Sequence, residues 1–308
     1  MAQLIKRASA EARAFQRRER DRTARRSAAL DTTDGSRQTR SRRDSDFVTE
    51  ALPYDGGRKP RFAPVTFSEE GGVRYLHFGT EWVQGAMRLR QPDKIELEYS
   101  QQMMAWLLFM DPPKKLAQLG LGTGSLTKFS HRYLPKTHTQ AVELNPAVVV
   151  AARTMFALPP DDKRLSVIET DAWEYVNDAA NHGTLGALQV DLYDATARGP
   201  VLDSAAFYRA CRDCLGKLGV VTVNLFGDHP SFRRNMKQLA VAFDNRVLAL
   251  PEIHDGNRIA IAFSGPPLSF DWKSLERRAA YVERTYKLPA KSWVAGLKQV
   301  HAGPDFTI

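Results

Sequence analysis

Apolar and polar positions alternate in two different ways along the chain, and the change occurs near residue 110. Three short runs of β-forming residues, 65–68, 73–78 and 86–89, are separated by glycine-containing turns, which predicts a small antiparallel sheet. Residues 98–109 carry apolar side chains at helical spacing and precede two prolines, which predicts a helix that ends before them. We therefore expect a small β domain with a linking helix over residues 60–105.

Between residues 116 and 264, short apolar runs alternate with amphipathic segments. The apolar runs predict strands near 116–119, 139–143, 165–168, 187–191, 219–225, 246–250 and 258–263. The intervening segments predict helices near 125–134, 147–157, 172–179, 204–216 and 231–242. Such alternation indicates a doubly wound α/β domain over residues 106–265, with a mostly parallel sheet and helices on both faces. The sequence of residues 266–308 predicts a charged helix followed by an irregular tail.

The positive charge of the chain is concentrated at its N-terminus. Of a net charge of +9, the 13 Lys and Arg and 7 Asp and Glu of residues 1–46 contribute +6. This segment is rich in Arg, Ser, Ala and Thr and lacks apolar periodicity, so we predict that it is disordered. Two interpretations stay open: a weak contact with nucleic acid or another acidic partner, and a solvated extension, which the scarcity of aromatic residues favours.

Hydropathy and cysteine content exclude several classes of protein. No apolar run reaches the roughly 18 residues that a membrane-spanning helix needs, and the N-terminus lacks the apolar core of a secretory signal. With only Cys211 and Cys214, a disulfide framework is excluded, and we expect a globular protein of the cytoplasm that has no contact with a membrane. The two cysteines are interpreted as packed thiols, because no second pair of metal ligands accompanies them.

The most informative motif is LAQLGLGTGSL at residues 116–126. Here Gly120, Gly122 and Gly124 allow a tight turn and a close approach of the backbone to a ligand, while the following helix presents free N–H groups. Glu143 ends the next predicted strand, where a carboxylate can accept hydrogen bonds from a ribose. Together they predict a nucleoside-binding βαβ unit; the alternative is an ordinary strand-to-helix turn.

Further carboxylates follow the next two strands. Asp171 comes after the third strand and can accept from an adenine amino group, or it can cap the next helix. Asp191 and Asp194 follow the fourth strand, where two carboxylates can bind a cation and take its proton, or cap a turn. Because ligands bind at the carboxyl ends of parallel strands, these residues are candidates for one site.

Several motifs in order extend this pattern. They are VELNP at 142–146, FALP at 156–159, DKRLSV at 162–167, DA at 171–172 and YV at 175–176. Over residues 62–265 the chain resembles the spermidine synthase (polyamine aminopropyltransferase) family. The resemblance implies a small N-terminal antiparallel β domain on a Rossmann-like methyltransferase fold, a homodimer, and aminopropyl transfer from decarboxylated S-adenosylmethionine to a diamine.

The resemblance also implies roles for individual nucleoside-binding residues. Glu143 matches the family's ribose-binding acid, and Asp171, followed by Ala172, matches its adenine-binding acid. Gln84 resembles a glutamine that contacts the nucleoside.

On the acceptor side, Asp191 matches the catalytic acid and Asp194 the second acid near the diamine. Tyr99 falls beside the active site and, with Tyr193, could orient Asp191. Transfer to an amine needs positioning and a base; it requires no metal, and we expect none.

Two departures from the family concern charge. Thr123 replaces an aspartate that faces the donor's amine, and Gln101 or Gln102 replaces a glutamate on the acceptor side. With fewer carboxylates, the site has a weaker preference for a dication. Without the aspartate, the site also no longer repels the carboxylate of intact S-adenosylmethionine. An S-adenosylmethionine-dependent methyltransferase therefore stays open as an alternative, as does a non-catalytic nucleoside-binding member of the fold.

Overall fold

The N-terminal part folds into an antiparallel sheet. The structure is a computed structural model that describes residues 62–194, 201–227, 230–253, 256–301, 303 and 305–308, so the predicted disordered segment 1–46 lies outside the described residues. Within the described chain the sheet has four strands in sequential order: β1 (Val65–Glu70), β2 (Val73–Phe78), β3 (Gly85–Arg88) and β4 (Gln91–Ile95). The polar sequence of β4 gave no strand signal, and its pairing with β3 forms it.

The prediction of one continuous helix over residues 98–109 is wrong. The structure has a short helix, α1 (Glu98–Gln102), then a turn and a 3₁₀ helix (Ala105–Leu108). The side chains of the 3₁₀ segment are buried, as the apolar spacing predicts. The sequence thus predicts the burial but not the break.

The break arises from competition for one carbonyl oxygen. Met103 O accepts from Gln189 Nε2 at 3.1 Å and from Thr222 Oγ1 at 3.2 Å. In a continuous α-helix this oxygen would accept from Leu107 N–H, which bonds to Met104 O at 3.1 Å instead. Polar side chains on the large sheet therefore interrupt the helix.

The large sheet follows the predicted strands closely. In the part of the chain that the structure describes it has seven strands in the order β10-β11-β9-β8-β5-β6-β7. The bounds are β5 (Lys115–Leu119), β6 (His138–Glu143), β7 (Leu165–Glu169), β8 (Leu185–Val190), β9 (Leu215–Phe226), β10 (Val247–Ala249) and β11 (Asn257–Ser264). Strands β5 to β9 are mutually parallel, whereas β11 lies antiparallel between β9 and β10. The expected mostly parallel sheet is confirmed.

Helices cover both faces of this sheet, as expected. Their bounds are α2 (Ser125–Tyr133), α3 (Pro146–Met155), α4 (Ala172–Asn177), α5 (Ala205–Asp213) and α6 (Ser231–Ala242). One face packs Leu116, Ala187 and Val220 against the 3₁₀ helix and α2, and the other packs Leu188 and Val221 against α4, α5 and α6. Alternate residues of each strand thus serve separate cores.

The C-terminal residues are more ordered than the sequence suggests. The predicted charged helix is present as α7 (Trp272–Tyr286), and a second helix, α8 (Ala290–Val300), follows it. Trp293 and Leu297 of α8 are buried in the core that contains the 3₁₀ helix. The short strands β12 (Ser269–Asp271) and β13 (Asp305–Thr307) pair antiparallel. No helix among the described residues is both long enough and apolar enough to span a bilayer.

Candidate active site

The glycine loop between β5 and α2 is built for close backbone contact. Gly120 has φ +90°, and a Cβ there would lie 2.1 Å from the carbonyl oxygen of Asp191. Gly122 and Gly124 also have positive φ, +53° and +67°, and a Cβ on Gly124 would lie 2.9 Å from Leu158 Cδ1. Only glycine fits at Gly120, because any side chain would displace the end of β8. The loop and Asp191 are therefore in direct contact.

Glu143, at the end of β6, organises this loop. Its Oε2 accepts from Leu121 N at 3.0 Å, and its Oε1 accepts from Asn145 N at 2.9 Å. Burial raises the pKa of the Glu143 carboxyl, and these backbone donors oppose that rise. The carboxylate thus joins the glycine loop to the start of α3 at the position where a ribose is expected.

Asp171 lies at the start of α4. Its Oδ1 accepts from Trp173 N at 2.7 Å, so the side chain caps the helix, and Ala172 beside it is buried. The capping interpretation of Asp171 therefore has a geometric basis, and the second carboxylate oxygen is not involved in that bond. A role in adenine binding remains a prediction.

Asp191 immediately follows β8 and is held by neighbouring elements. Asn224 Nδ2 donates to Asp191 Oδ1 at 2.9 Å, and the hydroxyl of Tyr99 also interacts with the carboxylate. Burial raises the pKa of the Asp191 carboxyl to about 6, although both partners favour the charged form. A carboxylate with this pKa is ionised near neutral pH and can still accept a proton.

Two asparagines at this edge were not predicted from the sequence. Asn257 Nδ2 donates to Asn224 Oδ1 at 2.9 Å, and it lies 3.5 Å from the hydroxyl of Tyr193. The same hydroxyl is 3.4 Å from Asn224 O, and burial raises the pKa of Tyr193. A polar residue within the apolar run of β9 was the available signal for Asn224. The place of Asn257 depends on the antiparallel direction of β11.

A small cavity, partly open to solvent, lies between the N-terminal sheet and the large sheet. It is lined by Gln84, Gly85, Tyr99, Ser100, Gln118, Leu121, Gly122, Thr123, Ser125, Leu126 and Asp191. Five predicted site residues thus meet there: Gln84, Tyr99, Gly122, Thr123 and Asp191. Among the lining residues of the described chain, Asp191 is the only charged one. The other lining residues are uncharged, and they include both polar and apolar side chains.

The polar side chains predicted for the site differ in their local contacts. Gln84 Nε2 donates to the carbonyl oxygen of Asp194 at 3.2 Å, which links the N-terminal sheet to the loop after β8. Thr123 is only 2% exposed, and its hydroxyl lies 2.9 Å from Ser125 Oγ. Gln101 is not brought to the cavity, because its side chain donates to Ile95 O at 2.9 Å. Its expected contact with substrate remains a prediction without geometric support.

The two cysteines lie apart from this cavity. Cys211 and Cys214 are buried, and burial raises the pKa of both thiols, which agrees with packed, unreactive side chains. Across the described ranges, no group of three or more His, Cys, Asp or Glu side chains could hold a metal ion.

The strand order, with an antiparallel strand inserted beside β9 and a glycine loop after β5, defines the Rossmann-like fold of nucleoside-dependent transferases. No family model matches the chain. The polyamine aminopropyltransferase of Neisseria meningitidis is 36% identical over 241 residues, which cover 78% of this chain and 91% of that protein. The chain therefore belongs to the polyamine aminopropyltransferase family.

Solved structures show the same fold at lower sequence identity. A probable spermidine synthase from Corynebacterium glutamicum has a TM-score of 0.60 at 19% identity and covers 82% of this chain and 95% of its own. Human methyltransferase-like protein 13, in complex with SAH, has a TM-score of 0.53 at 22% identity and covers 62% and 93%. The fold is thus shared with both kinds of transferase.

Proposed function

We propose that the protein transfers an aminopropyl group from decarboxylated S-adenosylmethionine to a polyamine or related amine. The observation that carries the proposal is the contact between Gly120 and the backbone of Asp191. Because of this contact, the carboxylate lies beside the loop on which a nucleoside would rest. Membership of the polyamine aminopropyltransferase family supports the same chemistry.

The donor would bind through the glycine loop and the two acids that follow β6 and β7. Glu143 would accept from the ribose, and Asp171 would accept from the adenine through the carboxylate oxygen that does not cap α4. Gln84, Gly122 and Thr123 would surround the sulfonium and the tail, since all three line the cavity. The binding roles of these residues follow from position and chemistry, and each can be tested by substitution.

The reaction would be an in-line displacement at carbon. The lone pair of the acceptor nitrogen forms the new N–C bond, the C–S bond breaks, and its electron pair stays on sulfur as a neutral thioether. The attacking nitrogen must be neutral, so the acceptor's ammonium would first give one proton to the Asp191 carboxylate, and the secondary ammonium formed by the attack keeps its two remaining protons. Tyr99 and Tyr193 would orient this carboxylate, and Asp194 would attract the distal ammonium of a longer amine.

Methyl transfer from intact S-adenosylmethionine is the second candidate, and a specific observation favours it. The family's aspartate is replaced by Thr123, and the lining residues described for the cavity include no acid except Asp191. The carboxylate of an intact donor would therefore meet less repulsion than it does in other members of the family.

The products distinguish the candidates. The protein is incubated with either donor and a panel of monoamines, diamines and triamines, and the nucleoside product is identified by mass spectrometry. Aminopropyl transfer yields 5′-methylthioadenosine and methyl transfer yields S-adenosylhomocysteine, with Asp191→Asn as the inactive control. Nucleoside binding without either product would indicate the non-catalytic alternative.

The wider assignments remain predictions. We propose a small-molecule amine as the substrate, a homodimer as the assembly and the cytoplasm as the location. Contact of residues 1–46 with nucleic acid or an acidic partner concerns a segment outside the described residues. Sedimentation of the full chain with and without a short duplex DNA would test both the assembly and this contact.

A further inference from the structure

A directional chain of amide hydrogen bonds ends on the candidate base. Asn257, the first residue of β11, donates from Nδ2 to Asn224 Oδ1 at 2.9 Å. Asn224, near the end of β9, donates in turn from Nδ2 to Asp191 Oδ1 at 2.9 Å. Because β8 is parallel and β11 antiparallel to β9, the three side chains come from adjacent strands at one sheet edge.

The order of donors and acceptors fixes how Asn224 is oriented. A side-chain amide accepts only through its oxygen and donates only through its nitrogen. A donor that binds the Asn224 oxygen therefore leaves the Asn224 NH₂ group pointing towards Asp191. Asn257 supplies that donor, and Asn224 is only 2% exposed, so water does not compete. Without Asn257, the Asn224 amide could turn its oxygen towards the carboxylate and repel it.

We propose that Asn224 and Asn257 are positioning residues for the base. They hold Asp191 Oδ1, and the carboxylate, which Tyr99 also contacts, keeps further lone pairs to receive the proton of the acceptor amine. The proposal rests on the proposed function, because it assigns Asp191 the proton-accepting role. Asn257 acts through Asn224 and through the Tyr193 hydroxyl, which lies 3.5 Å from its Nδ2, so each removal should affect Asp191 and not the donor pocket.

The electrostatic surroundings of Asp191 give the proposal a measurable consequence. The titratable groups that interact with this carboxylate, among the residues described, are the phenols of Tyr99 on α1 and Tyr193 after β8. Both phenols are neutral near pH 7, since burial raises their pKa values. The donation from Asn224 lowers the pKa of Asp191 against its burial. Losing that donor should therefore raise the pKa of Asp191.

The first measurement needs no activity. Protein labelled with ¹³C at aspartate carboxyl carbons is titrated by NMR, and the Asp191 signal is assigned by its loss in Asp191→Asn. We expect Asn224→Ala to raise the pKa of Asp191 by about one unit, because a hydrogen bond to a charged group is lost. Asn257→Asp should raise it at least as much, since its carboxylate cannot donate to Asn224 Oδ1. Ser264→Ala, at the far end of β11, should not change it.

The second measurement uses transfer kinetics. For both Asn257→Ala and Asn257→Asp, kcat should fall about 10- to 100-fold while KM for the donor stays within twofold. The acid limb of the kcat/KM profile should move to higher pH, and Asn257→Asp should be the more impaired variant although it is isosteric with asparagine. Circular dichroism and nucleoside affinity show whether each variant is folded.

The outcomes separate this proposal from the proposed function. If the pKa of Asp191 is the same in parent, Asn224→Ala and Asn257→Asp, the positioning role is wrong. The proposal would also be overturned if Asn257→Ala and Asn257→Asp lost kcat equally while the acid limb of their kcat/KM profiles stayed at the pH of the parent. That pattern indicates a structural role. If the parent transfers nothing, the function fails, whereas the NMR titration still decides whether the asparagines control the carboxylate.

Discussion

The amine of Lys128 on α2 donates a hydrogen bond to the carbonyl oxygen of Phe156 at 2.6 Å, and both residues are almost completely buried. Phe156 follows the last residue of α3 and packs against Leu76 and Met87 of the N-terminal sheet. Burial lowers the pKa of Lys128 to about 7, although Asp93 of β4 favours the charged form. The contact between the two sheets therefore contains a lysine that titrates near neutrality.

Stability should depend on pH through Lys128. The folded protein binds fewer protons at this amine than the unfolded chain between about pH 7 and the ordinary lysine pKa of 10.5, so stability rises with pH in that window. Lys128→Met should remove a slope of up to about 1.4 kcal/mol per pH unit. Urea unfolding of parent and variant at pH 7, 8 and 9 measures it. The exposed Lys136→Met is the control, and parallel curves for parent and Lys128→Met would contradict the prediction.

Asp191→Asn should stabilise the fold while it abolishes transfer. The folded pKa of about 6 exceeds the ordinary value of 3.8, so the stability contributed by this group is fully present below about pH 4 and is lost as pH rises through 6. At pH 8 the neutral amide should raise the free energy of unfolding by about 1 to 3 kcal/mol. Denaturant unfolding at pH 8 and pH 4 checks it: the gain should vanish at the lower pH, and a pH-independent gain would point to packing instead.

Glu143→Ala should weaken nucleoside binding about 10- to 100-fold, because charge-assisted bonds to a ribose are lost. The variant should also loosen the glycine loop, since Leu121 N and Asn145 N lose their acceptor. Calorimetry with 5′-methylthioadenosine and S-adenosylhomocysteine measures the affinity. Glu143→Gln is the control for size, because it keeps one acceptor; parental affinity in both variants would remove Glu143 from the site.

Thr123→Asp should shift donor preference towards decarboxylated S-adenosylmethionine. A new carboxylate at this position attracts the donor's ammonium and repels the carboxylate of the intact donor, by on the order of 1 to 2 kcal/mol. Ser125 Oγ lies 2.9 Å from the Thr123 hydroxyl and donates to Ala86 O, so it can bind the new carboxylate only by turning its proton away from that carbonyl. Competition titrations with both donors give the ratio. Thr123→Asn separates charge from size, and an unchanged ratio in Thr123→Asp would show that residue 123 does not face the donor tail.

The strands of the large sheet could be predicted because they are apolar runs bounded by turns, and central ones such as β5 and β8 are buried on both faces. The interruption at Met103 could not be predicted, because it depends on hydrogen bonds from Gln189 and Thr222, which lie over 80 residues away in the chain.

Some residues of the candidate site could be predicted from the sequence, and others could not. Glu143 and Asp191 end strands that the sequence indicates, so their place at one edge follows from the sheet. Asn257 begins a strand, and only the antiparallel direction of β11 brings it to that edge. Gln101 was assigned to the acceptor side by resemblance. Its side chain donates to Ile95 O instead and does not line the cavity.

The close approach of Gly120 to the Asp191 backbone links the proposed donor-binding loop to the proposed base. If the loop holds the sulfonium compound as proposed, a shift of the loop should move Asp191 with it, because the two backbones are in contact. Different acceptors would then be accommodated on the wall that the N-terminal sheet contributes, where Gln84 lies. Divergence between aminopropyl and methyl transfer on this scaffold should therefore be concentrated on that wall, while the paired strand ends stay unchanged.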